Sequence, residues 1–415
     1  MHTIRNYILG LVFASLASSV LAAPPTDTFQ IVESVPQATD YGASGVPRTQ
    51  AVWLQMIRGA HRHIDVAAFY ISNKPGSALE PVLKALIQRA GEGVRVRILV
   101  GQSFMRISRK SVARLRKVKG ITVRVLPVPK LTGGVLHAKY MIVDGRSVFV
   151  GSQNWDWRAL TQIHEIGVRV RNARFARTFE SAYDALWTLA ARPDMPAAAK
   201  RAVRPLPFTP VTARSPAVLH DATGGQVIAF PAFSPPSMLP HGLDAEQPAL
   251  VRLIRSSQHT LRVQVMTLSA IREFGPKGWW TPVDAALRDA AARGVEVRII
   301  VANWALREPM QAYLKSLAVL PHVTVKFSTL PLAPQGFIPY ARVEHAKYAV
   351  ADDDRIYIGT GNWGWSYFNN TVDASVFAYG RSAAQTLVGI FDHDWNGPYV
   401  TTLEPGRTYK PPRKS

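Results

Sequence analysis

Two stretches of this chain, VLHAKYMIVDGRSVFVGSQN at 135–154 and VEHAKYAVADDDRIYIGTGN at 343–362, hold residue types suited to phosphoryl chemistry. Each sets a histidine two residues before a lysine in strand-like sequence. Successive strand side chains alternate in face, so His137 and Lys139 share a face, as do His345 and Lys347. Asp144 and Asp352, seven residues after the histidines, fall on the opposite face if the strand runs straight. A small-residue turn follows, GSQN or GTGN, which can bring Asn154 or Asn362 back toward the His/Lys face. Each half then offers an imidazole, an ammonium and an amide, and two halves together surround one point with two of each.

That set suits a phosphodiester. Lys139, Lys347, Asn154 and Asn362 can bind the non-bridging oxygens, more strongly as charge builds in the transition state. One histidine can attack phosphorus to form a phosphohistidine. The other can protonate the leaving oxygen and then deprotonate an incoming water or alcohol. The attacking ring must be neutral at its reacting nitrogen, so its other N–H needs an acceptor. Glu165 and Asp373 each lie 28 residues after a histidine, at the head of the strand-like runs EIGVRVR and DASVFAY. They are read as the carboxylates that orient the histidines, each within its own half. On that pairing the longer Glu165 favours His137 as nucleophile and leaves His345 as general acid.

The elements that must position these groups recur as well. One offset of 208 residues relates His137 to His345, Lys139 to Lys347, Asp144 to Asp352, Gly151 to Gly359 and Asn154 to Asn362. It also relates Trp155, Trp157 and Trp187 to Trp363, Trp365 and Trp395, and so establishes a two-fold internal repeat. Each half runs strand, amphipathic helix, strand, helix, strand, motif and closing helix, which predicts α/β layers. Residues 1–22 read as a signal peptide with Arg5 as its basic start; an uncleaved anchor is the alternative. The first lobe spans 29–192, a Pro- and Ala-rich connector 193–248, the second lobe 249–403 and a basic tail 404–415, expected to be disordered.

Composition bounds the partners. The 415 residues carry a net charge of +21, far above what solubility needs, and attract polyanions such as nucleic acid or an anionic lipid surface. There is no cysteine, which excludes disulfides and cysteine–zinc sites without excluding export. No metal or cofactor motif is present. GPKGWWTP at 275–282 places two tryptophans where they could stack on bases, enter a lipid interface or pack over a lobe edge. SRKSVARLRKVKG is a basic helix, a solvated face or a patch that guides a strand.

HxKxxxxD twice, with GSxN and GTxN, resembles the phospholipase D superfamily. The stretches GVLHAKYMIVD, GSQNWDWRALTQIHEIGV, IPYARVEHAKY, YIGTGNWGWSYF and IFDHDWNGPY narrow the likeness to the mammalian lysosomal branch of members three and four, over about residues 29 to 400. The resemblance implies two phospholipase D-like α/β lobes with one active site between them and no metal. It makes His137, Lys139 and Asp144 and their counterparts His345, Lys347 and Asp352 the catalytic set. It implies a 5′ exonuclease on single-stranded DNA or RNA, or alternatively a phospholipase D or phosphatidyltransferase on membrane phospholipids, in an exported, periplasmic or secreted protein. The chain departs from the mammalian members in lacking cysteines and in placing Glu344 before the second histidine, where it is expected to point away from the site.

Overall fold

The computed structural model describes residues 27–191 and 205–415; the expected signal peptide, 1–22, and the first part of the connector lie outside the described residues. Among the described residues, sixteen strands form one mixed sheet. In the first half, His63–Ala68, Arg95–Gly101 and Ile121–Leu126 run parallel, and Tyr140–Val143, Ser147–Gly151, Glu165–Arg171 and Thr28–Ser34 continue antiparallel. The second half repeats the order with Thr260–Val265, Glu296–Ala302, Val323–Ser328, Lys347–Ala351, Arg355–Gly359, Asp373–Tyr379 and Gln226–Ser234.

The local causes repeat too. Helix Leu79–Gly91 buries Leu79, Val82, Leu83, Leu86 and Ala90, one apolar stripe at helical spacing. Gly93, at φ +96°, lets the chain turn out of that helix into the next parallel strand. Thr281–Ala292 buries Val283, Ala286, Leu287 and Ala290 and is followed by Gly294 at φ +86°. Parallel strands need such crossovers, and each brings the C-terminal strand ends to the same edge of its half.

Two segments differ from expectation. The 193–248 connector supplies strands Ala217–His220 and Gln226–Ser234, the latter pairing with Asp373–Tyr379 as Thr28–Ser34 pairs with Glu165–Arg171. Pro231 lies beyond Gln226–Ala229, the stretch paired with Ala217–His220, and so sits where the strand has a partner strand on one side only. The 404–415 tail is not loose: Tyr409 packs on Phe327 with ring centroids 5.0 Å apart and exchanges hydrogen bonds with the buried Gln311. One continuous apolar core runs through both halves, joining Tyr140, Val150 and Ile166 to Phe233, Tyr348 and Val376. The halves are therefore packed as one body, and their motifs meet across that core.

Candidate active site

His137, Lys139, His345 and Lys347 are all buried. Neither histidine lies within the regular ladder, which begins at Tyr140 in one half and Lys347 in the other. Each is instead held by backbone from the opposite half. His137 and Ala138 both donate to the Val372 carbonyl, at 2.9 and 2.8 Å, and Val372 donates to Val135. Reciprocally, His164 donates to Val343 and His345 donates to the His164 carbonyl at 2.9 Å.

These bridges correct the pairing of the carboxylates. Val372 precedes Asp373, so docking it on Leu136 carries Asp373 to His137, with Nδ1 to Oδ1 at 2.9 Å. His164 precedes Glu165, and its bridge to Glu344 carries Glu165 to His345, with Nδ1 to Oε2 at 2.7 Å. Each acid orients the histidine of the other half. Within one half, the strand that contains the acid is separated from the motif strand by a third strand, so the intra-half partner is out of place.

The lysines face the same center. Lys139 Nζ donates to the carbonyl of His137 and, at 3.3 Å, to that of Thr360 in the opposite GTGN turn. Lys347 Nζ donates to the carbonyl of His345. Burial drives both ammonium groups down, Lys347 to about 7 despite Glu165, Glu344 and Asp373, and Lys139 well below its usual range with Lys347 adding to the effect. An anionic phosphate between them would oppose that shift. Burial and the two lysines also hold both imidazoles neutral. Asn154 and Asn362 are buried beside the motifs, and among the described residues their Oδ1 atoms accept no hydrogen bond. Asn362 Nδ2 donates to the Tyr367 hydroxyl at 3.0 Å.

The carboxylates are not equivalent. Burial pushes Asp373 up to about 7, against Lys139, the Thr360 hydroxyl and Lys347. Thr360 Oγ1 donates to the same Oδ1 that receives His137, at 2.6 Å. Burial pushes Glu165 well above the carboxylate range, with Lys347, Ser152 and Lys139 opposing.

Asp144 and Asp352 do not reach the site, which corrects their place in the catalytic set. Each follows its strand in a left-handed turn, at φ +54° and +48°, a conformation aspartate tolerates. Asp144 accepts the N–H groups of His61, Arg62 and His63, and Asp352 those of Gln258, His259 and Thr260. They tie the motif hairpin to the start of the neighboring parallel strand. Glu344 points away from the site, as expected of the opposite strand face. It binds His164 Nδ1 at 2.6 Å, while Glu33 binds Nε2 at 3.1 Å.

Sequence reasoning missed several contributors. Phe69 and Tyr367 set their rings edge-on against His137, at 4.8 and 5.1 Å between centroids. Thr360 was visible as a turn residue but its grip on Asp373 was not. The His164–Glu33–Glu344 cluster had no local signal, because its members come from three distant segments. Of the other candidates, Trp155 and Trp363 are core. Trp280 stacks on Phe368, whereas Trp279 is 45% exposed and so the one tryptophan of that pair open to solvent. The basic helix Met105–Arg116 buries Ser108, Ser111, Val112 and Leu115 and turns its cations outward. The His/carboxylate groupings among the described residues, His63/Asp65/Glu180 and His164/Glu344/Asp394, include none of the motif residues.

Compared with known proteins, the chain matches the family described as cardiolipin synthase, PLD-like domain, over residues 53–187 and 250–395, one match in each half. It is 34% identical over 400 residues to the 5'-3' exonuclease PLD3 of Bos taurus and to that of Homo sapiens, covering 90% of this chain and 80% of each relative. It is 32% identical over 393 residues to phospholipase D Z of Dictyostelium discoideum, covering 90% of this chain and 91% of the other. Among solved structures, phosphatidylserine synthase from Haemophilus influenzae has a TM-score of 0.60 over 87% of both chains at 12% identity, a likeness of fold alone.

Proposed function

Since this chain belongs to the phospholipase D superfamily, we propose that it is a phosphodiesterase that works through a phosphohistidine and acts on single-stranded nucleic acid from the 5′ end. The observation that carries the chemistry is the crossed pair of histidine–carboxylate contacts around two buried lysines. With both Nδ1 atoms engaged by carboxyl groups, both Nε2 atoms are left to react.

The two half-sites divide the work by the state of their acids. Asp373, which also accepts the Thr360 hydroxyl, accepts the Nδ1–H of His137 and leaves a lone pair on Nε2 for attack on phosphorus. Glu165, whose carboxyl burial pushes well above its usual range, donates a hydrogen bond to His345 Nδ1, which leaves Nε2–H as the acid for the leaving oxygen. In the first step the His137 Nε2–P bond forms, the P–O bond to the leaving group breaks, the His345 Nε2 proton passes to that oxygen, and the Glu165 proton passes to His345 Nδ1, so that the ring stays neutral. In the second, His345 Nε2 takes a proton from water while its Nδ1 proton returns to Glu165, the hydroxide attacks phosphorus, and the P–N bond to His137 breaks. Lys139, Lys347, Asn154 and Asn362 bind the non-bridging oxygens. This keeps His137 as nucleophile, but for a reason opposite to the intra-half pairing expected from the sequence.

The substrate reading rests on the similarity to the PLD3 exonucleases; the +21 charge suits either anionic substrate. The second reading, a phospholipid as substrate, is favored by the similarity to phospholipase D Z. No helix among the described residues is long and apolar enough to cross a membrane, and the leader supports export. Parallel incubation with 5′-hydroxyl single-stranded DNA and with phosphatidylcholine or phosphatidylglycerol vesicles, in EDTA and with His345→Ala as control, tests the proposal. Mononucleotide release from DNA by the wild type alone supports it; lipid hydrolysis without DNA cleavage overturns the substrate.

A further inference from the structure

We infer that the basic tail, residues 410–415, is a second phosphate-binding element that grips the strand beyond the scissile nucleotide; this rests on the nucleic-acid reading of the site.

The tail is held in place along its length. Val400–Thr402 adds an edge strand to Val323–Ser328, and Leu403 is buried. Tyr409 then locks onto Gln311 through both backbone groups, N–H to Oε1 at 2.9 Å and Nε2 to the carbonyl at 3.0 Å. From there the chain runs to the loop that leads into the second motif. Tyr340, five residues before His345, donates its N–H to the Lys414 carbonyl at 2.7 Å. Tyr340 has φ +56°, a conformation rare for an aromatic residue, and this bond helps hold it. The other half reaches the same loop through Arg158, which donates to the Pro339 carbonyl at 2.8 Å.

The cations of the tail lie on aromatic faces at this edge. Arg413 sits over Phe337 at 4.5 Å and Lys414 over Trp304 at 4.9 Å. Trp304 stands two residues past Ala302, whose N–H bonds the carbonyl of Met266, next to the Val265 that pairs with Lys347. It also packs on the cluster containing Val343 and Ile163, each two residues before a catalytic-site residue, His345 and Glu165. The tail thus ends on the strand ends that carry the second half-site. Burial and Arg307 push the Lys414 ammonium below its usual range, which Glu273, itself bound by Arg307, opposes and which a bound phosphate would oppose further. Phe337 and Tyr340 are 39% and 53% exposed, leaving ring surface beside the cations. Cations spaced by exposed rings match a single strand, with phosphates on the charges and bases on the rings. A lipid headgroup offers one phosphate and no stacking partner.

The test uses the full chain with Lys410→Gln, Arg413→Gln and Lys414→Gln combined, and Lys414→Arg as the conservative variant. Binding of an oligonucleotide of about 20 residues is measured by fluorescence anisotropy in a His345→Ala background, across salt concentrations, beside turnover of bis(p-nitrophenyl) phosphate in the active background. The expected result is about tenfold weaker strand binding. The slope of log affinity against log salt should shrink by about 2, since each phosphate contact on a single strand contributes about 0.7. Lys414→Arg should retain binding, and small-diester turnover should persist. Unchanged affinity and slope would overturn the inference. A parallel loss on the small diester would overturn it in favor of a tail that only positions the Tyr340 loop, and a gain in strand binding in favor of a strap over the site. If the His345→Ala protein with its native tail binds no strand while the wild type hydrolyzes phospholipid, the nucleic-acid reading itself has failed.

Discussion

Burial pushes the Asp373 carboxyl up to about 7, and this sets a pH limb for the reaction. His137 Nδ1–H needs an ionized acceptor, so kcat/KM should fall as pH drops through about 7 and Asp373 takes up a proton. Asp373→Asn should lose that limb together with about 10²-fold or more in rate, as expected for disabling a general-base or nucleophile orienter. A pH–rate profile of wild type and variant checks both. A different outcome is expected at Asp144. Its carboxyl is held below its usual range by the backbone N–H groups of His63, His61 and Arg62, against its partial burial. The stability it contributes is present above the unfolded value of about 3.9 and is lost as pH falls through the depressed folded value. Asp144→Asn should therefore lower the melting temperature at neutral pH, with the gap closing in acid, while kcat stays within about twofold. The pairing of His137 with Lys139 was legible from their spacing, and both lie against the Phe69 ring although neither is within the regular ladder. The crossed acids and the turn role of Asp144 were not, since both depend on which distant backbone the motif docks against.

The junction between the half-sites is an element in its own right. His164, at the head of one acid-bearing strand, lies between Glu33 and Glu344, with Asp394 at 3.6 Å and the Tyr41 ring at 4.5 Å. Glu33 is also paired with Arg48, and Asp394 is near His393. Burial opposes the His164 charge, but Glu344, Asp394 and Glu33 together raise it well above the usual histidine range. Its contribution is fully present below about 6.5 and is lost as pH rises through the raised folded value. Removing one partner of a buried ion pair typically costs about 3–5 kcal/mol. His164→Ala should thus lower the melting temperature by about 5 °C near pH 6, with a smaller loss at high pH. A thermal melt across pH checks this. Strands and helices at this scale were largely readable: the 208-residue offset and the helical stripes of Leu79–Gly91 and Thr281–Ala292 gave the order in both halves. The strand Gln226–Ser234 was not, because the Pro- and Ala-rich stretch around it resembles a linker until Asp373–Tyr379 is there to pair with it.

For the whole molecule, duplication explains why one site needs two halves. Each half supplies a histidine and a lysine but takes its orienting carboxylate from the other, so neither half carries a complete site. Two-lobe organization followed from the repeat; the exchange of acids between lobes did not, because a repeat is equally consistent with two self-contained sites. In the proposed mechanism the buried lysines supply positive charge to the phosphate, so activity should persist in excess EDTA; loss on chelation that one divalent ion restores would point to other chemistry. The most direct measurement traps the covalent intermediate: rapid quench under non-acidic conditions during turnover, with the phosphoryl group mapped by mass spectrometry in wild type, Glu165→Gln and Asp373→Asn. The account predicts the adduct on the peptide containing His137, its accumulation in Glu165→Gln, where His345 is impaired in activating water, and its near absence in Asp373→Asn. An adduct on His345, or accumulation in Asp373→Asn instead of Glu165→Gln, would contradict the crossed assignment.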